Sequence, residues 1–174
     1  MKAPLVLLIV ASQGYQPIEY SVPKKILTAQ GITVETASNK PGKATAADGS
    51  QTDVDVTLYN VDPKKYDGIF FIGGPGALEN LDNEKSYKII REIAQLGKPF
   101  GAICISPRIL AKTGVLTGKK ATGWDGDEKL DSVFKKYGVI RIKKDVVTDG
   151  KIVTATCPAA ANMFAQAILN VLQK

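Results

Sequence analysis

The 174-residue chain contains no histidine, one tryptophan and two cysteines, Cys104 and Cys157. Without histidine no Cys–His or Ser–His pair can form, whether in one chain or in any assembly of identical chains. That excludes a histidine-dependent triad and removes the side chain best suited to act as a base near pH 7. Two cysteines make no disulfide framework, so a reducing, cytoplasmic setting is expected. No apolar run approaches 18 residues, so no membrane span is expected. The opening run Leu5–Val10 is short and no A-x-A-like site follows it. It is therefore expected to be a buried first strand rather than a signal peptide. Lys and Arg number 23 against 17 Asp and Glu. The excess lies in scattered pairs such as Lys64-Lys65 and Lys143-Lys144, with no basic stripe interleaved with aromatics. Nucleic acid is not an expected partner.

What is present suits one α/β domain spanning 1–174. Hydrophobic residues make up 44%, enough for a core at this length. Continuous apolar runs at Leu5–Val10 and Ile69–Ile72 have the pattern of strands covered on both faces. A helix is expected from about Ile18 to Gln30, closed by Gly31, with Pro23 kinking or dividing it. Ile32–Ala37 is the next strand, which makes a right-handed β-α-β unit. The polar stretch Ser38–Asp53 has turn signals at Pro41-Gly42 and Asp48-Gly49, and reads as an excursion with short strands near 43–46 and 52–53. A further short strand is expected within Asp55–Leu58. Glu84–Leu96 has a helical apolar stripe, Ile89, Ile90 and Ile93. Trp124–Glu128 is expected to open a helix reaching Tyr137, with Asp127 and Glu128 complementing its dipole. Asp145–Thr148 and Ile152–Thr156 read as a hairpin around Asp149-Gly150-Lys151. A final helix should run from about Pro158 to Leu172. The alternation predicts a mostly parallel sheet between helices, with a site beyond the carboxyl ends of its strands.

Three loops at such strand ends carry candidate residues. The first is Cys104–Pro107. A short apolar run, Phe100–Ile103, enters Cys104, and Ser106-Pro107 begins a helical segment. This places Cys104 on a strand-to-helix turn with small neighbours at Ala102 and Ser106, as a nucleophile elbow requires. A helix N-terminus there favours a thiolate, so a depressed Cys104 pKa is expected. A structural cysteine closing a core strand is the alternative. The second loop, Gly73-Gly74-Pro75-Gly76-Ala77, lacks both the Rossmann spacing and the P-loop lysine. It reads either as a tight turn or as a backbone approach to a reacting oxygen. The third, Ala11–Glu19, ends in an acidic residue that could simply be a helix-dipole partner. No metal or other cofactor is expected.

Taken together, Tyr66–Gly76, Ala102-Ile103-Cys104, Pro17–Pro23 and the closing segment Val153–Leu172 resemble the DJ-1/PfpI (ThiJ/PfpI) superfamily. The resemblance implies a flavodoxin-like three-layer sandwich that forms a homodimer or higher homo-oligomer. It implies that Cys104 is the reactive cysteine at the elbow and Glu19 the carboxylic acid beside it. Gly74 and Ile105 would offer their amides to the reacting oxygen. Gly73, Trp124, Cys157 and Pro158 would form the surrounding pocket. A glutamate held near a thiolate should have a raised pKa and donate a hydrogen bond to sulfur. The chain departs from the family where other members carry histidine: Ile105 stands directly after the cysteine, and Trp124 stands in the loop that supplies it in DJ-1-type members.

The resemblance implies a cysteine-dependent enzyme acting on small reactive carbonyls, of glyoxalase or deglycase type, working through a Cys104–Glu19 dyad. A second reading is a non-enzymatic redox sensor or chaperone-like stress protein in which peroxide oxidises Cys104. A PfpI-type cysteine protease ranks below both, because the base is missing. Cys157 reads either as a packed residue before a helix or as a thiol that resolves oxidised Cys104.

Overall fold

The computed structural model describes residues 2–173. Its centre is β1 (Leu5–Val10), whose side chains from Val6 onward are fully buried. A strand covered on both faces has no polar positions to offer, which is why this run does not alternate. β2 (Gln13–Tyr15) leads into α1 (Pro17–Ala29), then β3 (Thr33–Ser38). The excursion holds β4 (Gly42–Ala46) and β5 (Gln51–Val54), which pair antiparallel and add β2 to make a separate three-stranded sheet. β6 (Val56–Thr57), β7 (Gly68–Phe71), α2 (Ala77–Leu81), α3 (Glu84–Gln95), β8 (Phe100–Ile103) and α4 (Pro107–Lys112) follow. β9 (Lys120–Ala121), α5 (Leu130–Lys136), β10 (Ile140–Arg141), β11 (Val146–Asp149), β12 (Ile152–Ala155) and α6 (Ala161–Leu172) complete the chain.

The main sheet has seven strands in the order β11-β12-β8-β7-β1-β3-β6. Every pairing is parallel except the β11–β12 hairpin. The chain steps from β1 to β3 in one direction and from β7 to β8 in the other. Right-handed crossovers therefore put α1 and α3 on opposite faces. α6 packs against α1, and α4 against both α3 and α5, which completes the three layers. Phe70, Phe71, Leu7, Leu8, Ile9 and Phe164 are among the largest fully buried side chains, each stabilising the fold by about 1.5–3 kcal/mol relative to exposure. Gly101 is required where β8 meets β12, because a Cβ there would collide with the Val153 carbonyl.

Two sequence expectations are corrected here. Pro23 does not divide α1, which is one helix with Pro23 inside it and buried. Pro23 has no N–H for the Glu19 carbonyl, four residues back. The packing of α1 against β3 and α6 outweighs that lost bond. The segment Trp124–Glu128 does not open a helix, since α5 begins at Leu130. Its carboxylates are already committed: Asp125 accepts the Leu130 N–H at 2.9 Å and Asp127 binds Arg108. Glu128 takes a left-handed φ of 58°, which breaks any helical path. The two-residue strand β10, parallel to β9, was too short for a periodicity to reveal.

Candidate active site

Cys104 leaves β8 with φ 66°, a left-handed conformation that costs a residue with a Cβ about 1–3 kcal/mol. Its surroundings hold it there. The Cys104 N–H donates to the Ala155 carbonyl at 2.9 Å, continuing the β8–β12 ladder by one residue. Its carbonyl accepts the Trp124 N–H at 2.7 Å. Ser106 does not cap α4 with its side chain. Its buried hydroxyl donates instead to the Ile72 carbonyl at 2.8 Å, tying the elbow to the end of β7.

Glu19 comes from the first turn of α1 and is completely buried. Its Oε2 accepts the Gly73 N–H at 3.0 Å. Its Oε1 has no partner within hydrogen-bond geometry. The Cys104 thiol lies near the carboxyl, close enough to pull its pKa down. Burial outweighs that pull and the Gly73 N–H together, and raises the Glu19 pKa from 4.5 to about 7. Gly73 is where the two side chains converge. A Cβ on Gly73 would stand 2.5 Å from the Cys104 Cβ and 2.8 Å from Glu19 Oε2. Glycine is thus needed here for close approach rather than for backbone freedom. Gly74 does need the freedom, with φ 121°. The Gln16 N–H donates to the Gly73 carbonyl at 2.9 Å and the Gly76 N–H to the Gly14 carbonyl at 3.0 Å, lacing the glycine loop to the entry of α1.

The sequence expectation of a depressed Cys104 pKa is reversed. Burial, then the charge of Glu19 and the hydrogen bond to it, push the thiol up to about 12. The N–H groups of Gly74 and Ile105 act in the opposite sense, both donating toward the sulfur. Two acidic groups in contact and out of water hold one negative charge far more readily than two. The pair can carry that charge as thiol and carboxylate or as carboxylic acid and thiolate, and the second form makes Glu19 a donor to sulfur.

Glu19 and Cys104 open onto a cavity of about 310 Å³, walled also by Gly74, Ile105, Trp124, Cys157 and Pro158. The structure thereby brings together the expected residues with one exception. Gly73 lies behind the dyad and does not line the cavity. Gln16 and Pro75, which do line it, went unnoticed in the sequence. Both cysteines are free thiols.

Sequence reasoning also missed Arg108. This residue is 4% exposed, forms a bidentate pair with Asp127 (Nη2 to Oδ1 2.6 Å, Nη1 to Oδ2 3.0 Å) and donates to the Trp124 carbonyl at 3.1 Å. The signal available was its rarity. The chain has three arginines among its many lysines, and arginine is the residue of choice for bidentate carboxylate binding.

Known proteins share this fold. Residues 5–171 match the model of the DJ-1/PfpI family. The chain is similar to an uncharacterized protein of Methanocaldococcus jannaschii, 33% identical over all of this chain and 85% of that one. It is 32% identical to the deglycase PfpI of Pyrococcus furiosus, over 87% of this chain and 90% of the enzyme. Among solved structures, the ThiJ/PfpI domain protein of Brachyspira murdochii superposes with a TM-score of 0.92 at 26% identity, covering 99% of this chain and 98% of that one. Fold, elbow and full-length similarity lead to one assignment: the chain belongs to the DJ-1/PfpI family.

Proposed function

We propose that this protein is a cysteine-dependent enzyme acting on small reactive carbonyl compounds, of glyoxalase or deglycase type, through Cys104 and Glu19 and without histidine. The observation that carries the reading is the buried Glu19 carboxyl, close to the Cys104 thiol, with one oxygen unpartnered and a pKa raised to about 7. A group with that pKa gives up and takes back protons readily at neutral pH, the task left open by the missing imidazole. The deglycase relatives support a carbonyl substrate.

With methylglyoxal as substrate, Glu19 and Cys104 first reach the form of carboxylic acid and thiolate. Sulfur adds to the aldehyde carbon, and the resulting oxyanion takes a proton, leaving a hemithioacetal. The amides of Gly74 and Ile105 stabilise the charge on that oxygen as it forms. Glu19, a carboxylate once it has given that proton, removes the proton from the same carbon and returns it to the adjacent one, while the hydroxyl proton passes to the neighbouring oxygen. The hemithioacetal becomes a thioester. Water hydrolyses the thioester, releasing lactate and restoring the thiol. The sum is methylglyoxal plus water giving lactate.

The test is to incubate the pure protein with methylglyoxal and follow lactate, with Cys104→Ala as control. Turnover lost in the control supports the reading, and its absence in the parent protein overturns it. Peptide hydrolysis is expected to be absent. Robust hydrolysis that disappears in Cys104→Ser would mean that another group supplies the base.

The second reading is a peroxide sensor. It is favoured by the presence of Cys157 in the same cavity wall as Cys104, where one thiol can respond to oxidation of the other. A single functional unit spanning 1–174, a homodimeric or larger assembly and a reducing cytoplasmic setting belong to the same proposal.

A further inference from the structure

Trp124 is the largest side chain in the cavity wall, and it is gripped from several directions. Its backbone N–H donates to the Cys104 carbonyl at 2.7 Å and its backbone carbonyl accepts from Arg108 Nη2 at 3.1 Å. The Arg108 guanidinium lies 5.7 Å from the centre of the Trp124 ring, within reach of a cation–π attraction. The indole also lies against Gly126, where a Cβ would collide with the ring, approaching Cε2 to 2.7 Å. Gly126 does not have the left-handed backbone that would itself demand glycine. The space, not the conformation, is what glycine provides there. Arg108 is in turn fixed by both oxygens of Asp127. This arrangement sits outside the Cys104–Glu19 chemistry, because neither Arg108, Gly126 nor Asp127 lines the cavity.

We infer that Arg108, Asp127 and Gly126 form a latch that holds the Trp124 ring as a fixed wall over Cys104, so that the wall sets the size of molecule that can reach the sulfur. This deepens the carbonyl-enzyme reading by restricting its substrates to short aldehydes and ketoaldehydes. Its test, however, reads only access to the thiol. Arg108 and Asp127 are positioning residues. They meet no substrate and act through Trp124. A planar guanidinium suits this, because it engages a carboxylate, a carbonyl and a ring face at once. Asp127 is an effective partner at neutral pH, since the hydrogen bond from Arg108 holds its carboxyl down at about 2.

The experiment measures alkylation of Cys104 by iodoacetamide and by the bulkier N-phenylmaleimide, resolved from Cys157 by peptide mass spectrometry. In the parent protein the bulky reagent should be strongly disfavoured. In Asp127→Asn the bulky-to-small rate ratio should rise roughly tenfold, the factor that about 1.4 kcal/mol of lost restraint produces. In Gly126→Ala the ion pair stays intact while the new methyl displaces the ring, and the ratio should change again. A circular dichroism melt establishes that each variant is folded. If Asp127→Asn does not fold, Gly126→Ala alone decides. An unchanged ratio in the folded variants, or equal acceleration of both reagents, overturns the latch. Because the readout is stoichiometric labelling, it stands or falls independently of methylglyoxal turnover. If the latch holds and turnover is absent, only the enzymatic reading fails.

Discussion

The Gly73 N–H holds one oxygen of Glu19 at 3.0 Å and leaves the other without a hydrogen-bond partner. A single backbone donor thus divides the carboxyl into a bound oxygen and an unpartnered one. The Cys104 thiol lies close enough for each group to shift the other's pKa.

That division predicts opposite effects of one substitution. Glu19→Gln keeps the shape and can still accept from Gly73, but it carries no charge and relays no proton. Without the carboxylate, two of the causes that raise the Cys104 pKa disappear, and only burial remains to raise it. Alkylation of Cys104 by iodoacetamide at pH 8 should therefore become faster in Glu19→Gln, while carbonyl turnover falls to background. Glu19→Asp should retain part of the turnover. Full turnover in Glu19→Gln would reduce Glu19 to a structural role.

The buried carboxyl also gives stability a specific pH dependence. Burial raises the Glu19 pKa from 4.5 to about 7. Below about pH 4.5 the group is neutral in both folded and unfolded chains, and burial carries no charge penalty. Between these values the unfolded chain releases its proton and the folded chain keeps it, so stability falls as pH rises. Above 7 the loss is complete, on the order of 3 kcal/mol. Melting curves of the parent and Glu19→Gln should coincide near pH 4 and diverge toward pH 8, with the variant the more stable. Curves that stay parallel across the range would contradict this.

Gly73→Ala tests the close approach. Its methyl would meet the Cys104 Cβ, Glu19 Oε2 and the Ile103 carbonyl, the last at 2.9 Å. Overpacking of this kind costs about 1–3 kcal/mol. Both the melting temperature and turnover should fall. A variant that melts like the parent would show that the dyad has slack.

The fate of oxidised Cys104 separates two guardians of the sulfur. Peroxide converts the thiol to sulfenic acid with release of water. Attack by Cys157 would then expel a second water and leave an intrachain disulfide, two hydrogens lighter than the starting protein. The expected product under mild peroxide is that species. Sulfinic Cys104 with Cys157 still open to alkylation would instead assign control to Glu19.

Much of this was legible in the residues. Leu5–Val10 and Phe100–Ile103 announce buried strands because nothing polar interrupts them. Ala102 and Ser106 mark the tight turn around Cys104. Glu19 was not legible on physical grounds alone. An acidic residue in a helix's first turn looks the same whether it faces water or sulfur, and only the family resemblance singled it out. Asp127 misled for the same reason: its partner Arg108 lies 19 residues away, whereas a helix dipole is always near at hand. The direction of the Cys104 pKa was misjudged because the helix start is local in sequence. Burial and the Glu19 carboxyl, which override it, arise only when distant segments meet.

The bond from the Cys104 N–H to the Ala155 carbonyl has a consequence for the order of events in synthesis. The strand that anchors the elbow is made well after the elbow itself. Until the ribosome has released Ala155, Cys104 lacks the partner that continues its ladder, and its φ of 66° has one restraint fewer. The nascent polypeptide therefore carries the Cys104 turn without its full set of restraints. The turn is completed only when β12 docks.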